Sequence, residues 1–287
     1  MRRAARLQFH EHELGDWMRA RRAPDVRLAG LLLDRELLGY QHSRAQFASW
    51  LEPPRPQVTI MIDLDGRLDA DGEVLPDAWI SGLTDQPTVV GFRDTYGSID
   101  LKLSCLGAYA LTGRSLSELA GACVSLDEVF GTAGRELVQR VRDSDDWDTR
   151  FDLVEAFLIA QLADGPRPDP AVSWAWERLR ASHGAMRVEA LAAELGCSRR
   201  YLRDGFVRHV GMAPKTVARL MRFHHVRERI QAIPDPAHPR WGEVAHAAGY
   251  ADQSHLNREF RALAGTTPSD FVRRLIPEGG VIGDRSH

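Results

Sequence analysis

Arginine and amide side chains recur at helical spacing in two stretches of this 287-residue chain. In the first, Ser198, Arg199, Arg200 and Arg203 surround the apolar pair Leu202 and Phe206. In the second, Gln253, Ser254, His255, Asn257, Arg258 and Arg261 surround Leu256 and Phe260. A guanidinium bonds bidentately to the O6 and N7 edge of guanine, an amide pairs with the N6 and N7 edge of adenine, and arginine also grips phosphate. If Leu202 and Phe206 face inward, a helical step of about 100° per residue turns Arg200, Arg203, Asp204 and Val207 outward. The matching outward positions in the second stretch are Ser254, Asn257, Arg258 and Arg261, flanked by Gln253 and His255. Asp204 is the one acid on these faces, and it has two uses. It accepts from cytosine N4, or it pairs along the helix with Arg200 or Arg208.

The elements that must carry these residues share one grammar. The first reads Leu191-Ala192-Ala193-Glu194-Leu195-Gly196-Cys197-Ser198 and continues into Arg199–Phe206; the second reads Val244-Ala245-His246-Ala247-Ala248-Gly249-Tyr250-Ala251-Asp252 and continues into Gln253–Phe260. In each, a small-residue helix ends at a glycine, which takes the left-handed conformation of a helix exit without a Cβ penalty. Ser198 or Asp252 then supplies an N-cap for the next helix. Both second helices leave by a similar route, Gly211-Met212-Ala213-Pro214 and Gly265-Thr266-Thr267-Pro268. Two helices joined by a tight glycine turn form the helix-turn-helix that docks in a major groove. The alternative is a solvated face on a helical packing module, which two copies with basic or amide groups facing outward disfavour.

At these residues the chain resembles the AraC family of bacterial transcription regulators. The segment Gly249–Phe260, followed by Gly265-Thr266-Thr267-Pro268 and Phe271, is similar to that family's C-terminal signature, and the resemblance covers about residues 186–276. It implies a seven-helix domain with two helix-turn-helix units joined by a long helix, here Pro214 to Ile233. It places Arg199, Arg200 and Arg203 in one major groove and Gln253, Ser254, His255, Asn257 and Arg258 in or beside the next, roughly 34–36 Å along the duplex. The partners it implies are double-stranded promoter DNA, RNA polymerase, a small-molecule effector and a second copy of the chain. Two departures stand out: Pro234-Asp235-Pro236-Ala237-His238-Pro239 lengthens the connection to the second unit, and the first recognition helix carries Gly205 and extra arginines.

Ahead of this region, Ala163-Asp164-Gly165-Pro166-Arg167-Pro168-Asp169-Pro170 reads as a stiff linker, because three prolines and a glycine cannot continue a helix. Residues 28–104 look mostly like strands: Val58–Ile62, Thr88–Val90 and the cleanly alternating Ile99–Leu103. From 105 to 162 the spacing becomes helical, with Phe151, Val154, Phe157 and Leu158 on one face. The expected fold is an α+β domain over 1–162, strand-rich and then helical, the linker 163–170, an all-α domain over 171–276 and a flexible tail over 277–287. Ile80–Leu83, Ile99–Tyr109 and Leu116–Ala120 resemble the sensor region of some of these regulators, which implies binding of a signal, self-association, or both. Ser104-Cys105 replaces a Thr-Pro common in such relatives.

Charge follows the same division. Residues 171–287 carry 18 Lys+Arg against 12 Asp+Glu, whereas 1–170 carry 19 against 28, so only the C-terminal part suits a polyanion. Almost all of the cation is arginine, with lysine only at Lys102 and Lys215. Cys105, Cys123 and Cys197 are odd in number and far apart, and read as small buried hydrophobes.

The remaining clusters point to no chemistry. His10-Glu11-His12-Glu13 lacks further ligands for a metal; Asp63, Asp65, Asp69 and Asp71 miss calcium-loop spacing and read as turns. Cys123 has no nucleophile elbow or placed base, and no phosphate-loop or dinucleotide motif occurs, so no catalytic residue, metal or cofactor is expected. Trp50 and Trp79 are candidates for a ligand pocket, or for core and rim. No stretch approaches 18 apolar residues, and no signal-length apolar run follows the basic start, so a cytoplasmic protein with no membrane partner is expected. Two other functions stay open: docking on a protein such as RNA polymerase with weak DNA binding, and an enzyme-like N-terminal domain targeted by the helical one.

Overall fold

The computed structural model describes residues 4–12, 15–43, 49–65, 68–92, 95–231, 239–275 and 281. The chain divides into two compact units: Met1–Ala48, Gln57–Gly82 and Gly91–Pro168 form one, and Ser49–Pro56, Leu83–Val90 and Asp169–His287 form the other. The tail expected over 277–287 lies outside the described residues except for Val281, as do residues 234–238 of the proline-rich connection and Ile233.

The strands are β1 (Arg6–His12), β2 (Gly15–Arg22), β3 (Leu37–Ser43), β4 (Ser49–Glu52), β5 (Val58–Asp63), β6 (Asp69–Ala70), β7 (Glu73–Val74), β8 (Ala78–Ser81), β9 (Thr88–Gly91), β10 (Tyr96–Leu103) and β11 (Cys123–Ser125). In the first unit, β1, β2, β3, β10, β5, β8 and β11 lie side by side in one antiparallel sheet. The alternation of Val58-Thr59-Ile60-Met61-Ile62 and of Ile99-Asp100-Leu101-Lys102-Leu103 explains its middle. Ile99 pairs with Ile62, Leu101 with Ile60 and Leu103 with Val58, all buried on one face. Because side chains alternate, a one-residue slip would expose the whole set, so this face sets the register.

Helices cover that face: α1 (Cys105–Thr112), α2 (Leu126–Phe130), α3 (Thr132–Arg142) and α4 (Trp147–Ala163). Trp147 of α4 lies where a Cβ on Gly39 of β3 would stand, 2.0 Å from its ring, so this crossing tolerates only glycine. The Ser104 hydroxyl accepts from Gly107 N at 3.1 Å and caps α1. On the opposite face of the sheet, His10, Trp17, His42 and Tyr96 stack in one cross-strand row, with ring centroids 5.6, 5.4 and 5.1 Å apart.

The strand-then-helix order holds, with two additions. β1 and β2 precede the stretch expected to be strands, and β11 interrupts the helical one. β1 gives a weak signal because it is an edge strand whose Leu7 and Phe9 face solvent. Of the cysteines only Cys105 is buried. Cys123 is exposed on the edge strand β11 and Cys197 is half-buried in a turn, which corrects the expectation for those two. Asp63 serves a turn: its carboxylate accepts from Asp65 N at 2.9 Å and Leu68 N at 3.2 Å. Trp79 is core.

The second unit holds seven helices among the described residues: α5 (Pro170–Ala181), α6 (Val188–Glu194), α7 (Arg199–Val210), α8 (Pro214–Gln231), α9 (Trp241–Ala247), α10 (Gln253–Ala264) and α11 (Pro268–Arg273). Asp169 caps α5, accepting from Ala171 N at 2.8 Å. The strands β4 and β9 are hydrogen-bonded neighbours contributed by earlier parts of the chain. No helix among the described residues is long and apolar enough to cross a membrane.

Candidate nucleic-acid interface

Each predicted turn is built as its residues dictate. Gly196 exits α6 at φ +63° and Gly249 follows α9 at φ +78°, so both use the left-handed region that favours glycine. The Ser198 hydroxyl accepts from Tyr201 N at 3.1 Å, and the Asp252 carboxylate accepts from His255 N at 2.7 Å. These caps set where α7 and α10 begin, and therefore which side chains lie on their first turns.

Inward, Leu202 and Phe206 of α7 and Leu256 and Phe260 of α10 are fully buried. Phe260 is gripped from two sides, with its ring 5.0 Å from Phe223 of α8 and 5.2 Å from Phe271 of α11. The helix α8 is tied to its neighbours on two sides: Arg219 Nε donates to Glu259 of α10 at 2.7 Å, and Arg222 Nη1 donates to Gly184 O, ahead of α6, at 2.6 Å.

Outward, Ser198, Arg199, Arg200, Arg203, Gln253, Ser254, Arg258 and Arg261 are exposed, whereas His255 and Asn257 are half-buried. The arginine side chains of α7 retain much of their free surface: 74% for Arg199, 91% for Arg200 and 67% for Arg203. The α7 face is therefore open to solvent and predominantly cationic, whereas the α10 face mixes two exposed arginines with amide and hydroxyl groups. His255 is partly committed to the turn before it, where its Nδ1 accepts from Ala251 N at 3.5 Å and its ring meets Tyr250 edge-on at 5.2 Å. Asp204 lies 3.6 Å from Arg200 and 3.4 Å from Arg203, so the pairing that forms is with these two and not with Arg208. Exposed pairs of this kind contribute little, about 0–1 kcal/mol, and leave both arginines available.

Sequence reasoning missed two residues of α7. The Tyr201 hydroxyl donates to Asp169 Oδ2 at 2.6 Å, joining the cap of α5 to the recognition-type helix. That bond holds the Asp169 carboxyl below its ordinary range and raises the Tyr201 phenol. His209, on the inner side of α7, is buried, and burial followed by the Arg208 charge pushes its imidazole pKa down.

Gly205 gains a reason as well. A Cβ there would stand 2.5 Å from a methyl of Val172, so glycine lets α7 approach α5 closely. A Gly205→Leu change gains about 1 kcal/mol of helix propensity. It also inserts a side chain into a closed contact, which costs about 1–3 kcal/mol. We expect a lower denaturation midpoint, and a midpoint above wild type would show that the α5–α7 contact does not constrain this position.

A cluster of three or more potential metal ligands does not occur among the described residues. The family model of a helix-turn-helix domain matches residues 191–274, from within α6 to just past α11. No curated protein matches the chain. Among solved structures, ToxT from Vibrio cholerae is 12% identical with a TM-score of 0.45, over 82% of this chain and 96% of that one. The C-terminal domain of AraT, a response regulator from Geobacillus stearothermophilus, is 24% identical with a TM-score of 0.34, over 42% of this chain and 98% of that one.

Proposed function

From a C-terminal region that is an AraC-type helix-turn-helix domain, we propose that this protein is a sequence-specific transcription regulator that reads two adjacent major-groove segments of promoter DNA. The observation that carries this reading is the pair of capped helices α7 and α10, each anchored by a buried Leu and Phe and each turning arginine or amide groups to solvent. Arg199, Arg200, Arg258 and Arg261 supply charge for phosphates. Arg203, Gln253 and Asn257 read base edges, guanine for the guanidinium and adenine for the amides. Ser198, Ser254 and His255 lie at the starts of the two helices, where their polar groups meet the sugar–phosphate backbone. The first unit takes a signal, and RNA polymerase and a second copy of the chain are the protein partners. The protein carries no catalysis in this reading.

The test is selection of bound DNA from a random pool by the full-length protein near physiological salt, followed by sequencing. Two enriched blocks about one helical turn apart are expected. Arg203→Ala and Asn257→Ala are each expected to relax preference at one position by about 1–3 kcal/mol. An equal loss on every sequence would remove the base-reading role from these two residues. A pool without enrichment would move docking on a protein partner ahead of DNA reading.

A further inference from the structure

Tyr201 stands between Arg200 and Arg203 on α7, yet its hydroxyl is turned to another helix. The residue is 49% exposed, and the hydroxyl donates to Asp169 Oδ2 at 2.6 Å. Tyr201, Gly205 and His209 follow one another four residues apart, so they share one side of α7. That side meets α5, whose Val172 lies against Gly205 and whose N-cap is Asp169. The post to which Tyr201 is tied is rigid. Asp169 sits between Pro168 and Pro170 with ψ 142° replaced by the 128° of an extended residue ahead of proline. Its Oδ1 accepts from Ala171 N at 2.8 Å and Val172 N at 3.3 Å, and its carbonyl accepts from Ser173 Oγ at 3.0 Å.

Apolar packing alone leaves the roll of α7 about its own axis weakly defined. Leu202 and Phe206 set how deeply the helix is seated, but hydrophobic contact has no preferred direction. At Gly205 the contact with α5 is a Val172 methyl against bare backbone, with no side chain to interlock. The Tyr201 bond is directional, and its carboxylate acceptor makes it stronger than a neutral one. It adds a second fixed point four residues from Gly205, about 6 Å along the axis. Arg203 lies between these two points. A guanidinium reads guanine through two parallel bonds, and such a site tolerates errors of only about 0.5 Å and 10–20°.

We propose that Tyr201 is a positioning residue for DNA reading: its bond to Asp169 fixes the roll of α7 and so the aim of Arg203. The role rests on the regulator reading, because α7 has an aim only if it enters a groove. It belongs to α7 and not to α10. The matching position of α10 is His255, which takes its bond from Ala251 N and its ring contact from Tyr250, both in the turn just before that helix. Loosening the Tyr201 bond therefore disturbs one of the two DNA segments and spares the other.

The experiment repeats the random-pool selection with full-length wild type, Tyr201→Phe, Asp169→Ser and the double variant, each well below its melting temperature. Tyr201→Phe keeps the ring and drops the hydroxyl, whereas Asp169→Ser keeps a helix cap but is too short to reach the phenol. Arg203→Ala marks which enriched block α7 reads. Each single variant is expected to lower base discrimination in that block about fivefold, the worth of one hydrogen bond, and to leave the other block unchanged. The double variant is expected to lose no more than either single one, because both break the same bond. Melting temperatures are expected to fall by no more than about 4 °C. An effect of Tyr201→Phe without one of Asp169→Ser would mean that the phenol touches DNA itself, and would overturn the proposal. So would losses that multiply in the double variant, equal weakening of both blocks, or a lowered melting temperature with wild-type preference. If wild type enriches no block, the regulator reading falls and this role with it. Two blocks in wild type that Tyr201→Phe reads unchanged overturn this role alone.

Discussion

Raising sodium chloride from about 50 mM to 200 mM is expected to weaken the affinity of the full-length protein for its selected DNA about 150-fold. The figure follows from the cations assigned to phosphates. Arg199, Arg200, Arg258 and Arg261 are all exposed on α7 and α10. If each displaces one condensed counterion, log K falls against log salt with a slope of about −3.6. Arg199→Ala, which removes a phosphate contact and no base contact, is expected to flatten the slope by about 0.9 while leaving the preferred sequence unchanged. Titration by fluorescence anisotropy reads both quantities. A slope shallower than about −2 would mean that most of these arginines never meet a phosphate, and that the cationic faces serve a protein partner.

The second large effect is on stability. Phe260→Ala is expected to cost about 3–5 kcal/mol, because the ring is fully buried and the space it leaves is walled by other rings that cannot collapse into it. For a protein of this size that is a fall in Tm of about 6–20 °C. Phe260 is also the contact through which α8 and α11 hold α10, so DNA binding is expected to be lost at temperatures where the first unit remains folded. Arg258→Ala, on the outer side of the same helix, is expected to move stability by no more than about 0.5 kcal/mol. Urea denaturation followed by circular dichroism separates the two. Equal midpoints would show that α10 is held by something other than its aromatic anchor.

The helix-turn-helix units were legible because every signal they need is short in range. The glycine exit, the Ser198 and Asp252 caps and the Leu–Phe pairs four residues apart all lie within a few turns of one another, and each is realised in the structure. The central strands β5 and β10 were legible for the same reason, since alternation is written along a single strand. The edge strand β1 was not, because Leu7 and Phe9 are its only two apolar residues, too short a run to mark a strand, and both face solvent at an open edge. The cysteines failed differently. Cys123 and Cys197 carry no local mark of exposure, and only the edge position of β11 and the turn before α7 put them near solvent.

The sequence by itself determined the two capped helices, their inner anchors and the residue types they turn outward, because a helix converts spacing directly into direction. Tertiary structure alone decided which groups far apart in the chain meet. It brought Tyr201 to Asp169, Gly205 against Val172, Arg219 to Glu259, and the Ser49–Pro56 segment into the unit that buries Arg227. Such contacts depend on how whole elements pack, and packing follows from shape and burial summed over many residues. No short stretch of sequence records that sum, and for that reason the buried Arg227 looks, in sequence, like any other arginine on a helix.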